Sequence, residues 1–302
     1  MAAMAQQTTF DSHCPPPDAH PRRPRSQIPV GAADCHAHVI GPASIYPFVA
    51  NRSYTPPDAL LPDYRHMLDT LGLTRAVLVQ PSMHGDDNTV MMRAIAGERE
   101  LDMRAVVVVP ADVDEASLGT LHAQGACGVR INLIYAGGNV DLKAAAAIAS
   151  RIRDFGWHLQ VLADVSAVPD LVPELARLPV PVVFDHFGHM PAGRGIADKG
   201  FAAMLEMVRR GDTWVKISGA YRLSGTGFPY ADVRPLCEAL VEANPDRLVW
   251  GTDWPHTVTP AMPNDGDLID LLCEWLGDQE LIDKVLVKNP ERLYGFGSKL
   301  AI

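Results

Sequence analysis

The sequence lacks the cysteine patterns that indicate a disulfide framework or a zinc knuckle. It holds an odd number of cysteines, widely spaced and with no Cys-x-x-Cys pair. The five are Cys14, Cys35, Cys127, Cys237 and Cys273. Because structural disulfides are rare in reducing compartments, we expect free thiols and a cytoplasmic protein.

Long hydrophobic runs and several familiar catalytic motifs are also missing. No stretch approaches the roughly 18 apolar residues of a membrane span, and the N-terminus lacks the apolar segment of a secretory signal. The chain has no Gly-x-Ser-x-Gly elbow, His-Glu-x-x-His helix or P-loop. These absences argue against membrane insertion, secretion, and the serine hydrolase, zincin and NTPase classes.

Positive charge is scarce. The 302 residues include 26 Lys and Arg against 36 Asp and Glu, which gives a formal net charge of −10. An acidic surface disfavours nucleic acid or an anionic membrane as the main partner, so a small-molecule ligand is the better expectation. The sequence makes no prediction about the oligomeric state.

The first 30 residues differ in composition from the rest of the chain. They are rich in Pro, Gln, Ser and His and show neither helical nor strand periodicity. We interpret residues 1–30 as a flexible N-terminal arm and residues 31–302 as one catalytic domain. The basic cluster of Arg22, Arg23 and Arg25 fits a solvated tail better than a partner-binding site.

From residue 33 onward, eight short apolar runs alternate with segments that carry helix signals. Strands that are apolar at nearly every position are typical of parallel sheets buried on both faces. Helix starts are indicated by Asn88, Asp114, Asp141 and Asn289-Pro290. The predicted strands are 34–40, 76–81, 105–110, 128–133, 158–163, 182–187, 214–219 and 248–254.

Eight strand–helix repeats predict a single (β/α)8 TIM barrel of the α/β class. The alternative is a doubly wound sheet, which normally carries a glycine-rich phosphate turn after its first strand. Here the first strand carries histidines instead.

Polar residues stand at the ends of three predicted strands. His36 and His38 are two apart, which places both imidazoles on one face of the first strand. Asp185 and His186 end the sixth strand, and Asp253 ends the eighth. Because functional groups of TIM barrels gather at the carboxyl ends of the strands, we expect a site that binds a metal or activates water.

The motifs at these strand ends resemble the amidohydrolase superfamily, and within it the lactonase branch. The resemblance runs from about residue 33 to residue 294. It rests on DCHAH (34–38), VQPSMHG (79–85), GVRIN (128–132), DHFG (185–188), WGTDWPH (250–256) and NPERLY (289–294).

This resemblance implies two groups of site residues. The catalytic group is Asp253, His36, His38 and His186. The substrate-binding group is Tyr54, Ser82, His84, Arg130 and Arg222. Three positions depart from the pattern of a site for two carboxylates, namely Leu162, His189 and the stretch 134–136. The identity of the lactone therefore stays open.

The resemblance leaves the metal question open as well. Many members use a Lys or Glu on strand 4 and a His on strand 5, where this chain has Arg130 and Gln160. A two-metal site is therefore not expected. Either no metal is obligatory, or a single Zn²⁺ is held by His36, His38 and Asp253.

We expect a hydrolase that opens a carboxylate- or sulfonate-bearing lactone, of the sulfomuconolactone or pyrone-dicarboxylate type. Asp253 would deprotonate water, the three histidines would stabilise the developing charge, and Arg130 and Arg222 would bind the anionic group. One alternative is a lactone isomerase of the galactarolactone type. Another is a barrel that binds small acids without turnover. His158 at the start of strand 5 is expected to pack or cap.

Overall fold

The computed structural model of the protein describes residues 14–134, 142–259 and 261–297. One sheet contains eight parallel strands in sequential order. They are β1 (Ala33–Ala37), β2 (Arg75–Val79), β3 (Asp102–Val107), β4 (Ala126–Asn132), β5 (His158–Leu162), β6 (Val182–Phe184), β7 (Thr213–Lys216) and β8 (Leu248–Val249).

Helices connect the strands and cover the outside of the sheet. Among the described residues they are α1 (Leu61–Leu71), α2 (Thr89–Gly97), α3 (Glu115–Ala123), α4 (Leu142–Ile152), α5 (Leu171–Leu175), α6 (Lys199–Arg210), α7 (Ala220–Leu223), α8 (Arg234–Ala243), α9 (Asp265–Leu276), α10 (Gln279–Asp283) and α11 (Asn289–Tyr294). No helix in these ranges is both long enough and apolar enough to cross a membrane.

Hydrogen bonds between β1 and the segment after β8 close the sheet. Cys35 N donates to Trp250 O at 2.9 Å, and His38 N donates to Trp254 O at 2.8 Å. The structure therefore confirms the predicted (β/α)8 barrel, whose two-sided burial explains why the strands are apolar at nearly every position.

The residues predicted to start helices have different roles in the structure. Asp114 caps α3 by accepting a hydrogen bond from Ser117 N at 2.7 Å, and α11 begins at Asn289. Asn88 precedes α2 without capping it. Its side chain instead bonds the backbone N and O of Val108 at 3.0 and 2.8 Å, which ties the loop after β2 to β3. Asp141 lies outside the described residues.

A buried carboxylate joins β1 to the segment after β8. Asp34 accepts hydrogen bonds from His36 N at 3.0 Å, Thr252 Oγ1 at 2.6 Å and Tyr64 Oη at 3.0 Å. Burial raises the pKa of Asp34 to about 6. Gly251 permits this close approach, because a Cβ at that position would lie 2.4 Å from His36 N. The residues just beyond both strands are thereby fixed relative to each other.

The described part of the predicted arm, residues 14–30, lies against α9. Arg22 Nη2 lies 2.5 Å from Asp267 Oδ1 and 2.7 Å from Asp270 Oδ2. Arg25 Nε lies 3.1 Å from Asp270 Oδ2. Two of the arginines interpreted as a solvated tail thus form ion pairs with the barrel. The division of the chain at residue 30 stays a prediction, and residues 1–13 lie outside the described part.

Candidate active site

Three imidazoles surround one oxygen of a buried carboxylate at the carboxyl end of the barrel. Asp253 Oδ1 lies 3.8 Å from His36 Nε2, 3.7 Å from His38 Nε2 and 3.8 Å from His186 Nε2. These distances are too long for direct hydrogen bonds. The four side chains predicted from three separate strand ends therefore converge in space.

The other oxygen of Asp253 is fully engaged. Oδ2 accepts a hydrogen bond from Tyr221 Oη at 2.7 Å and from Arg222 Nε at 2.5 Å. Burial alone would raise the pKa of Asp253, but the charge of Arg222 opposes burial, and this pKa lies well below its usual range. Asp253 is therefore a carboxylate with Oδ1 as its available acceptor.

The backbone and a second row of side chains hold this arrangement. Asp253 has a φ of 68°, and its N–H donates to His36 O at 2.7 Å. Behind Tyr221, His256 Nδ1 lies 3.1 Å from the phenol oxygen, and His256 Nε2 lies 3.0 Å from Asp265 Oδ1. The sequence left the role of His256 open, and the structure places it in support of Tyr221.

The three histidines are buried and neutral at ordinary pH. Burial is the main cause that lowers the pKa of His38 to about 4, and the charge of Arg130 adds to it. Burial lowers the pKa of His186 to about 3. His38 Nδ1 lies 2.7 Å from Val79 O, a carbonyl that can only accept. Since His38 is neutral, its proton is on Nδ1 and its Nε2 carries a lone pair. His38 can therefore accept a proton or hydrogen bond beside Asp253 Oδ1.

A buried lysine that sequence reasoning missed lies beneath His36. Lys216 Nζ donates to Gln160 Oε1 at 2.7 Å and to Cys35 O at 2.9 Å, and it lies 3.2 Å from His36 Nδ1. Asp185 Oδ1, 3.6 Å from Nζ, favours the ammonium form. An ammonium can only donate, but Asp185 Oδ1, which can only accept, also lies 3.2 Å from His36 Nδ1. His36 Nδ1 therefore faces one donor and one acceptor, and these contacts do not fix its tautomer.

Asp185 connects this lysine to the predicted substrate-binding arginine. Gln160 Nε2 donates to Asp185 Oδ2 at 3.1 Å, and Arg130 Nε lies 3.4 Å from the same oxygen. Burial opposes ionisation, but the charges of Lys216 and Arg130 oppose burial, and the pKa of Asp185 lies well below its usual range. Lys216, Asp185, Gln160 and Arg130, which we term the floor network, are linked across four strands. The signal in the sequence is a lysine within the otherwise apolar run of β7.

Most of the predicted site residues line one cavity above this floor network. The lining comprises His38, Tyr54, Ser82, Arg130, Leu162, His186, His189, Arg222, Asp253 and Thr257. Two predicted residues are not in that lining. His36 is fully buried and reaches the cavity through Asp253, and His84 packs on Phe48 with ring centroids 5.2 Å apart. Residues 135 and 136 of the departing stretch lie outside the described part of the chain.

The donor atoms of His36, His38 and Asp253 are close enough together to hold a metal ion. His36 Nε2 is buried without a hydrogen-bond partner among the described residues, which leaves it available to a ligand. The charge around the site opposes a cation. Three cations, Lys216, Arg130 and Arg222, already face two carboxylates. The residues present therefore do not fit a divalent cation well.

Comparisons with known proteins agree with this geometry. A family model described as Amidohydrolase matches residues 33–296. The 4-sulfomuconolactone hydrolase of Hydrogenophaga intermedia is 36% identical over 287 residues, 93% of this chain and 94% of the relative. The D-galactarolactone isomerase of Agrobacterium fabrum is 34% identical over 276 residues, 90% of this chain and 93% of the relative.

Solved structures include a close neighbour. A probable 2-pyrone-4,6-dicarboxylic acid hydrolase from Acinetobacter baumannii, solved with citric acid bound, has a TM-score of 0.80 and 29% identity. The match covers 88% of this chain and all of that chain. The likeness thus extends over the barrel and the strand ends that carry the site.

Proposed function

Since this chain belongs to the amidohydrolase family, we propose that it hydrolyses a lactone bearing an anionic group by attack of water on the lactone carbonyl. The observation that carries the proposal is the position of Asp253 Oδ1. It is the free oxygen of a carboxylate that lines a cavity, with three imidazole nitrogens within 3.8 Å. An ionised acceptor among neutral imidazoles can orient a water molecule and take its proton.

In the proposed reaction, water binds between two acceptors, Asp253 Oδ1 and His38 Nε2. Its oxygen attacks the carbonyl carbon while a proton moves to Asp253, and the carbonyl electron pair moves to its oxygen. The low pKa of Asp253 makes it a weak base at rest, but the attacking water becomes acidic as its new bond forms. We assign His38 the role of acceptor rather than the donor role that the sequence suggested.

Collapse of the tetrahedral intermediate then breaks the ring C–O bond. The leaving alkoxide takes the proton from Asp253, and the product is a hydroxy acid that ionises and releases one proton to solution. His186 lines the cavity and is the proposed donor to the oxyanion. His36, which does not line it, is a proposed positioning residue whose Nε2 lies 3.8 Å from Asp253 Oδ1.

A small anionic lactone is the proposed substrate, and Arg130 and Arg222 are its proposed anchors. Both line the cavity, and each also has an anionic partner within the protein, Asp185 for Arg130 and Asp253 for Arg222. Burial lowers the pKa of His189 to about 4, so His189 offers a hydrogen bond rather than a charge. The names of the hydrolase relatives support a lactone with a carboxylate or sulfonate.

A second candidate keeps the same site and changes the nucleophile. In a lactone isomerase, a hydroxyl of the substrate replaces water, and Asp253 moves a proton from that hydroxyl to the departing ring oxygen. The similarity to a galactarolactone isomerase over 90% of the chain favours this candidate over a barrel that only binds acids.

A panel of lactones assayed by proton release tests the proposal. The panel comprises sulfomuconolactone, muconolactone, pyrone dicarboxylate and galactarolactone, each with its methyl ester as a neutral control. We expect at least one anionic member to be hydrolysed and its ester to react at least about tenfold more slowly in kcat/KM, a difference of about 1.4 kcal/mol. We also expect turnover to survive dialysis against a chelator. Binding of these acids without turnover would contradict the proposal.

A further inference from the structure

A second cavity lies at the opposite end of the barrel from the candidate active site. It has a volume of about 480 Å³ and is lined at the amino ends of β5, β6 and β7, where these strands begin at His158, Val182 and Thr213. The active-site cavity is lined by Leu162, at the other end of β5. Leu162 lies four residues after His158 along β5, which corresponds to about 13 Å. We term this second cavity the basal pocket.

Two guanidinium groups and an indole form one side of the basal pocket. Arg247 and Arg292 lie 4.9 and 5.7 Å from the Trp214 ring centroid, respectively. Burial and the charge of Arg292 lower the pKa of Arg247, so the two cations are close enough to repel each other. Asp246 and the exposed Asp212 offset part of this charge. An anion bound between the two guanidiniums would relieve their repulsion.

An unsatisfied histidine lies at the floor of the basal pocket. His158 is 2% exposed, and neither ring nitrogen meets hydrogen-bond geometry with a partner among the described residues. Burial lowers the pKa of His158 to about 3 although the Cys127 backbone opposes this shift. The Cys127 backbone can serve one ring nitrogen at most, so at least one nitrogen of the neutral ring has no partner, which is costly at a buried position. Packing against Tyr294, with ring centroids 5.5 Å apart, provides no hydrogen bond to either ring nitrogen.

The chain makes room for this ring. Gly128 faces His158, and a Cβ at residue 128 would lie 2.5 Å from His158 Nε2. Only glycine at that position lets the imidazole occupy the interior at the base of β4 and β5. Packing, which the sequence predicts for His158, explains the position of its ring. It does not provide hydrogen-bond partners for both ring nitrogens.

We propose that the basal pocket binds a small aromatic carboxylate. The carboxylate would lie between Arg247 and Arg292, and the aromatic body would lie against the apolar wall formed by Leu175, Leu178, Val180 and Leu293. The volume suits one small molecule, since ligand pockets commonly span about 300–1,000 Å³.

Titration of the ¹⁵N-tryptophan-labelled protein with benzoate tests this proposal. Trp214→Phe assigns the Trp214 indole signal, and Trp254, which packs on Tyr64 near the active-site end, reports on the other cavity. We expect a saturable shift of the Trp214 signal with a Kd of about 1 mM or lower. Benzamide, which has the same shape without the charge, should bind at least about tenfold more weakly.

Two arginine variants complete the test. Arg292→Ala removes an exposed cation of the basal pocket and should weaken benzoate binding at least about tenfold. Arg210→Ala removes an exposed arginine of α6 outside the pocket and should leave binding unchanged. Equal binding of benzamide, an unchanged Kd in Arg292→Ala, or a shift confined to Trp254 would each overturn the proposal.

Discussion

Replacing Asp253 by Asn is expected to lower kcat by about 10²–10⁴-fold while KM changes little. Asn keeps the size of the side chain but cannot take a proton from water. Arg130, which lines the cavity and does not contact Asp253, keeps its place for the substrate anion. Steady-state kinetics on the best lactone of the panel measures both constants.

Two further variants make this result interpretable. Asp170→Asn makes the same charge change at an exposed position before α5 and should leave both constants unchanged. Arg222→Met should affect both constants, because Arg222 lines the cavity and also holds Asp253 Oδ2. The binding role that the sequence suggested for Arg222 would chiefly raise KM. If Asp253→Asn raised KM and left kcat unchanged, Asp253 would bind substrate rather than move protons.

Replacing Lys216 by Met is expected to lower the free energy of unfolding by about 3–5 kcal/mol. The side chain of Lys216 is fully buried, and its removal leaves Gln160 Oε1 and Cys35 O without their donor. Asp185 also loses a cation 3.6 Å from its Oδ1. Urea unfolding followed by circular dichroism measures the change.

The double variant Lys216→Met/Asp185→Asn separates lost charge pairing from lost packing. Removing the carboxylate should recover part of the lost stability, because the buried charge that Lys216 compensated is then absent. Lys199→Met at the exposed start of α6 is the matched control and should be nearly neutral. A single variant as stable as the wild type, or a double variant whose losses simply add, would show that the floor network does not stabilise the barrel as described.

The strand order and the convergence of the site could be predicted because both depend on local patterns. Apolar runs, helix signals and polar strand ends are each visible within a few residues. Because the carboxyl ends of barrel strands lie on one face, His36, His186 and Asp253 can be expected to meet there without any knowledge of loop paths. All eight predicted strands run past the carboxyl ends of the observed strands, and the last one does so by the most residues. Ladder pairing of β8 ends at Val249, and the chain reaches a φ of 68° at Asp253.

The contacts that set protonation could not be predicted. Lys216 and Gln160 lie 56 residues apart, and Tyr221 meets Asp253 across 32 residues. These pairs depend on how far side chains reach within the closed barrel. Sequence periodicity gives no information about that distance. The same holds for Arg22, whose ion pairs with α9 span 245 and 248 residues. A lysine at the end of a buried strand was the one local sign of the floor network.

Hydrolysis of the best lactone in H₂¹⁸O, followed by mass spectrometry of the product, tests the central claim most directly. Attack of water on the carbonyl predicts one ¹⁸O atom in the new carboxylate and none in the new hydroxyl group. Consumption of the lactone with no label in the product would indicate transfer to a substrate hydroxyl. Label in the hydroxyl group would indicate attack at the ring carbon. Either result would contradict the proposed role of Asp253 and its water.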